Sequence, residues 1–215
     1  MYIPEHFREN HPERLSALIA DHPFGTLVTA ESDLPMVSHL PFLFEPGSGE
    51  NGKLLCHLAR ANPQCRQLAE RQAQGQTVLA VFQGPHAYVS PTWYADPGVP
   101  TWNYAVVHVY GRVRLIEAHG EEAAELKALL EKLTRAHEAN IARPWPGMLP
   151  EQAPMLRMIV GVEIEVTEIQ GKFKLSQNRS TEDQRRVISA LQDSSSPLEA
   201  GVATLMADKL AAKPK

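Results

Sequence analysis

The chain has 215 residues, 43% of them hydrophobic and 21% charged, which suits one substantial core and is too short for two generous domains. No window approaches the roughly 18 consecutive apolar residues of a membrane span, and the N-terminal Met-Tyr-Ile-Pro-Glu-His lacks a basic-then-apolar signal, so a cytoplasmic location is expected. A formal net charge of −4 excludes a global attraction to a phosphate backbone and leaves only local contact with nucleic acid.

In chain order, the first predicted helix is capped at Asn10 or His11, has Pro12 in its first turn, and carries Leu15, Leu18 and Ile19 at i, i+3, i+4 before Asp21-His22-Pro23 stops it. The period then changes. Residues 25–30 and 36–44 read as two strands of a hairpin, and residues 54–58 as a third strand after a Gly-rich turn. Ala59-Arg60-Ala61-Asn62-Pro63 follows, with Asn62 capping a helix that runs from Pro63 to about Gln74. Arg60 and the helix N-terminus together suit an anion, but alone the motif is weak, and plain capping beside a solvated arginine is the competing reading.

Residues 77–82 are almost continuously apolar, as in a central strand. The stretch from Gln83 to Arg114 then holds two of the three tryptophans and four of the five tyrosines, most of them beside Pro, Gly, Ser, Thr or Asn. Flat rings on turn residues suit a pocket wall, or a pair of loops whose rings fold back over the core; composition leaves both open. Residues 106–116 form a strand of about 35 Å, with Val107, Val109, Val113 and Leu115 opposite His108, Tyr110, Arg112 and Arg114. Its polar face suits a ligand, a subunit contact or solvent.

An amphipathic helix from Glu121 to about Ala139 presents Leu126, Leu129, Leu130 and Leu133, and a proline-rich connector carries Trp145. Residues 158–169 make a second long alternating strand. Ser180 with Asp183 resembles a capping box for a helix through Val187, Ile188 and Leu191, and a terminal helix runs from Pro197 to about Ala212 before a frayed Lys-Pro-Lys end. Cys56 and Cys65 show no Cys-x-x-Cys pattern, and the nine histidines form no metal-ligand spacing, so no metal site is expected. None of the histidines has the context of a haem ligand.

Several runs taken together are specific: Pro-Phe-Gly-Thr-Leu-Val-Thr from Pro23, Ser-His-Leu-Pro-Phe from Ser38, His-Leu-Ala-Arg-Ala-Asn-Pro-Gln from His57, Phe-Gln-Gly-Pro-His-Ala-Tyr-Val-Ser-Pro-Thr-Trp-Tyr from Phe82, Val-Pro-Thr-Trp-Asn-Tyr from Val99 and Gly-Lys-Phe-Lys-Leu-Ser-Gln-Asn-Arg-Ser from Gly171. In this order they resemble the PaiB family of FMN-binding negative transcriptional regulators across residues 1–192. The resemblance implies a mainly β fold with peripheral helices (α+β), an FMN-binding split β-barrel like that of pyridoxamine-phosphate oxidases. It implies a homodimer with its flavin sites at the subunit interface, a barrel domain over residues 1–192, and a C-terminal helix and tail over 193–215.

Carried over residue by residue, the resemblance implies that Arg60 and Asn62 hold the FMN phosphate, with Ser38 and His39 on the neighbouring strand. Ser90, Thr92, Trp93 and Tyr94 would flank the isoalloxazine, as would Trp102 and Asn103, while Lys174, Gln177 and Asn178 would reach the flavin or the partner subunit. Two outputs stand side by side, a transcriptional regulator and an FMN-dependent oxidoreductase acting on a small molecule. No helix-turn-helix is visible, so Lys172, Lys174, Arg179, Arg185 and Arg186 are the one candidate DNA patch.

Overall fold

Strand-forming residues are spread along the whole chain, and the strands they form join one sheet. A computed structural model of the chain describes residues 1–31 and 34–212; the turn expected at Ser32-Asp33 and the frayed end expected at residues 213–215 lie outside the described residues. The strands are β1 (Arg8–Glu9), β2 (Phe24–Glu31), β3 (Leu34–Pro41), β4 (Leu43–Glu45), β5 (Lys53–Ala59), β6 (Thr77–Val89), β7 (Thr101–Ile116) and β8 (Ile159–Lys174). Their hydrogen-bonded order is β3-β2-β6-β7-β8-β5-β4, with β1 on β8. The helices are α1 (Pro12–Asp21), α2 (Gln64–Gln74), α3 (Glu122–Glu138), α4 (Thr181–Gln192) and α5 (Pro197–Ala211). Among the described residues no helix is long and apolar enough to cross a membrane.

The chain divides into two compact units: Met1–Leu18, Gln83–Val107 and Gln170–Lys215 form the first, and Ile19–Phe82 with His108–Ile169 the second. Within the second unit β2 pairs antiparallel with β3 (Thr26 opposite His39, Leu27 opposite Ser38), and β5 pairs antiparallel with β8 (Leu54 opposite Ile164, Cys56 opposite Val162). Its core includes Leu55, Ile116, Leu126, Leu129 and Leu133, which seat α3; three buried leucines of that helix contribute about 1.5–3 kcal/mol each. In the first unit Val187 and Leu191 of α4 and Val202 and Met206 of α5 are buried.

Three expectations change. The strand expected over residues 36–44 is two strands, because Pro41 ends one ladder and Phe42 turns inward to set its ring edge-on against Phe82, with centroids 5.4 Å apart. Residues 83–89, expected as loop, continue β6: at Gly84 a Cβ would approach the Ala105 carbonyl to 3.3 Å, so glycine here permits close backbone approach rather than a turn. In β7 the alternation slips at its end, burying Ile116 in place of Leu115, whose N–H donates to Gln72 Oε1 at 2.7 Å.

Candidate functional site

The expected site residues fall into two groups, one in each unit. In the second unit β3 and β5 deliver Ser38, His39, Arg60 and Asn62 around the start of α2. Asn62 Oδ1 accepts the Gln64 N–H at 2.9 Å, which fastens the first turn, and Asn62 Nδ2 donates to Ser38 Oγ at 2.9 Å. Gln64, fully buried, holds the other side of the junction by donating from Nε2 to the Leu27 and Met36 carbonyls at 3.3 and 3.2 Å. His39 shares a hydrogen bond with Thr26 Oγ1 at 3.0 Å and remains exposed. Arg60 pairs through Nη2 with Glu117 and donates from Nε to the Arg157 carbonyl at 3.0 Å.

The donors at this junction are thus partly used. Among the described residues Arg60 Nη1, the Ser38 hydroxyl proton and the second Asn62 amide proton have no partner. The Arg60–Glu117 pair is solvent-facing, with side chains 41% and 28% exposed, and such pairs hold weakly.

In the first unit the aromatic stretch and the strand-to-helix turn after β8 meet. Ser90 Oγ closes a short 3-10 turn at Pro91–Trp93 by accepting from Thr92 N–H at 3.3 Å. Tyr94 is buried beneath Arg179, whose guanidinium stands 4.0 Å from the ring centroid, while Trp93 is half-buried. Trp102 is 53% exposed and lies beside His86 and Tyr88, with ring centroids 6.3 and 6.1 Å away. Asn103 is fully buried and donates from Nδ2 to Ser176 Oγ at 2.9 Å.

Lys174 Nζ donates to Thr101 Oγ1 and to the Trp102 carbonyl, the latter at 2.9 Å. Burial, with Lys172 adding like charge, holds its ammonium below the usual lysine range. Gln177 is spent locally: its Oε1 accepts the Leu175 N–H at 2.7 Å and its Nε2 reaches the Phe173 carbonyl. Asn178 is exposed.

The capping-box expectation is half right. Ser180 Oγ accepts the Asp183 N–H at 3.1 Å, but the Asp183 carboxylate, a methylene shorter than Glu, accepts instead from the backbone N–H groups of Ala95 and Asp96 at 2.7 and 3.4 Å. The basic run is largely consumed as well. Arg179 donates to the Pro97 carbonyl at 3.1 Å and lies 3.8 Å from Asp183, Arg186 pairs with Glu182 at 2.6 Å, and Lys172 sits over the Tyr2 and Tyr104 rings. Arg114 on β7, read as part of a polar face, is bound by Glu125 and Glu163.

Sequence reasoning passed over Ser176, Thr101 and His6, which line a cavity of about 200 Å³ in the first unit with Tyr94, Lys174 and Arg179. Ser176 has φ 61°, the one described non-glycine residue in the left-handed region. Nothing in a serine codon announces that conformation; its place inside the Lys-Leu-Ser-Gln-Asn run was the available signal.

A family model described as "Putative FMN-binding domain" matches residues 1–168. The Bacillus subtilis protein named "Protease synthase and sporulation protein PAI 2" is 38% identical over 211 residues, 98% of each chain. Among solved structures, the FAD and haem binding protein from Mycobacterium smegmatis superposes with a TM-score of 0.58 at 14% identity, over 83% of this chain and 78% of that one. A putative 5-nitroimidazole antibiotic resistance protein from Bacteroides thetaiotaomicron gives 0.54 at 16% identity, over 77% and 85%. At such identities the likeness speaks for the fold, which is the antiparallel split-barrel class with peripheral helices that the resemblance implied.

Proposed function

The chain belongs to the FMN-binding family whose model it matches, and from that premise we propose that it binds FMN, the phosphate end held at the junction of Ser38, Asn62 and Arg60. The supporting observation is the set of unused donors there, on Arg60 Nη1, Ser38 and Asn62, beside an ion pair that a phosphate displaces at small cost. When bound, the flavin supplies the redox chemistry; the side chains of this chain bind and orient it.

Titrating the apo protein with FMN and following quenching of flavin fluorescence tests this reading. Arg60→Ala is expected to weaken FMN binding about 10- to 100-fold, the worth of a charge-assisted hydrogen bond. Glu117→Gln, which releases Arg60, is expected to tighten it. Unchanged affinity in both variants would return Arg60 to a purely structural role.

For the output, we propose a homodimer that regulates in the PaiB manner without docking DNA on the basic run, where Arg179 and Arg186 are paired with Asp183 and Glu182. A second reading, an FMN-dependent oxidoreductase acting on a small molecule, is favoured by the cavity of about 200 Å³ in the first unit. One sedimentation experiment addresses the dimer and the DNA together. FMN-loaded protein mixed with a duplex fragment at low salt should run at about twice the 23.8 kDa chain mass and leave the DNA behind. Salt-sensitive co-sedimentation would restore direct DNA contact.

A further inference from the structure

We propose that the cavity between β7, β8 and the start of α4 in the first unit binds a small organic acid through its carboxylate, which makes it the substrate pocket of the oxidoreductase reading. The charge balance carries the argument. Lys174, Arg179 and His6 line the cavity, and among the described residues no carboxylate does. Asp183, the nearby acid, already balances Arg179: Oδ1 accepts two backbone N–H groups, and Oδ2, buried without a hydrogen bond, lies 3.8 Å from Arg179 Nη1, so Lys174 is the cation left without an acid.

Lys174 has no carboxylate partner among the described residues. Two of its three N–H groups go to Thr101 and the Trp102 carbonyl, which leaves one unspent beside the cavity. A partly buried ammonium with a second lysine close by is short of one anion.

The walls are built rather than incidental. Arg179 stands over Tyr94, its guanidinium carbon 4.0 Å from the ring centroid, and donates to the Pro97 carbonyl at 3.1 Å, so two contacts position its guanidinium before any ligand arrives. Ser176 adopts its left-handed backbone while its hydroxyl exchanges hydrogen bonds with the buried Asn103 amide at 2.9 and 3.3 Å. A serine kept in a conformation that glycine would adopt freely marks a turn whose shape matters.

Size sets the ligand class. About 200 Å³ is below the roughly 300 Å³ at which drug-sized pockets begin, so the acid is small, no larger than a single ring with its carboxylate. An oxyanion here has two possible sources, a free acid or the phosphate tail of FMN, and the test separates them. The substrate role rests on the flavin reading; the binding itself does not.

Calorimetric titration of the apo and FMN-loaded full chain with benzoate, acetate and inorganic phosphate is the experiment. Benzoate or acetate should bind both forms, and binding should fall about tenfold or more in Lys174→Met and in Arg179→Gln. Lys174→Arg, which keeps the charge, should stay within a few-fold and guards against a variant that fails to fold. Absence of carboxylate binding to the wild-type chain, equal binding by both charge-removing variants, or displacement of benzoate by FMN would each overturn the proposal. If FMN fails to bind while benzoate binds and Lys174→Met loses it, the acid pocket stands and the flavin reading falls.

Discussion

Gly111→Ala is expected to destabilise the second unit by about 3 kcal/mol or more, the upper range for overpacking. Gly111 lies in β7, alongside β8, where an added Cβ would overlap the Glu165 carbonyl oxygen and stand 2.5 Å from Ile164 Cγ2. The oxygen is backbone, and Ile164 is fully buried, so neither can step aside cheaply. Two other glycines calibrate the effect. At Gly161 the nearest atom is Leu126 Cδ1 at 2.8 Å, the free end of a side chain, so alanine should cost visibly less. At Gly47 nothing among the described residues lies within 4 Å, and alanine should be close to neutral. Urea unfolding of the three variants gives the order directly; Gly111→Ala unfolding at the wild-type midpoint would show that the two strands do not approach this closely.

Glu9→Gln is expected to cost about 3 kcal/mol at neutral pH and to flatten the acid limb of the stability curve. Glu9 is 1% exposed, and it joins the two ends of the chain within the first unit: Lys209 Nζ lies 2.9 Å from its carboxylate, Arg14 Nη1 3.1 Å, and the His11 N–H donates to it at 3.1 Å. Burial pushes its carboxyl up, but the hydrogen bonds from Lys209, His11 and Arg14 outweigh that and hold it below the ordinary value of 4.5. A carboxyl lowered by folding stabilises above its unfolded value, and that contribution disappears as pH falls through the folded value. Wild-type stability should therefore drop on acidification below about pH 4.5, more steeply than in Glu9→Gln, which has no proton to take up. Urea melts at pH 7, 5 and 3 measure the difference, and parallel acid limbs for the two proteins would remove Glu9 as the cause.

How much of this was legible beforehand depends on the range of the interaction that decides each feature. The α1 and α3 stripes, the alternation of β8 and the Asn62 cap depend on neighbours within a few residues, and each formed where the residues indicated. The aromatic stretch misled because Gly84 and Pro85 have the local chemistry of a turn. The approach of Ala105 and the packing of Pro85 against Gly201 hold them in a strand instead. Asp183 looked like a reciprocal cap, and its carboxylate went to Ala95 across 88 positions of chain.

The candidate site divides in the same way. Its residue types were visible in the short runs that resemble the PaiB family, because hydroxyls, amides and cations beside turns are a local pattern. Which of those donors remain available was invisible, since Glu117 takes Arg60, the Trp102 carbonyl takes Lys174, and Arg179 is laid on Tyr94, all through contacts between distant segments. Local sequence was enough for the helical stripes, the alternation of β8 and the chemical kind of group at the site, because periodicity and capping act over one or two turns of chain. Only the tertiary structure decided which strand neighbours which and which charges are spent or free, because those outcomes depend on through-space distances that loop closure, not spacing, brings about.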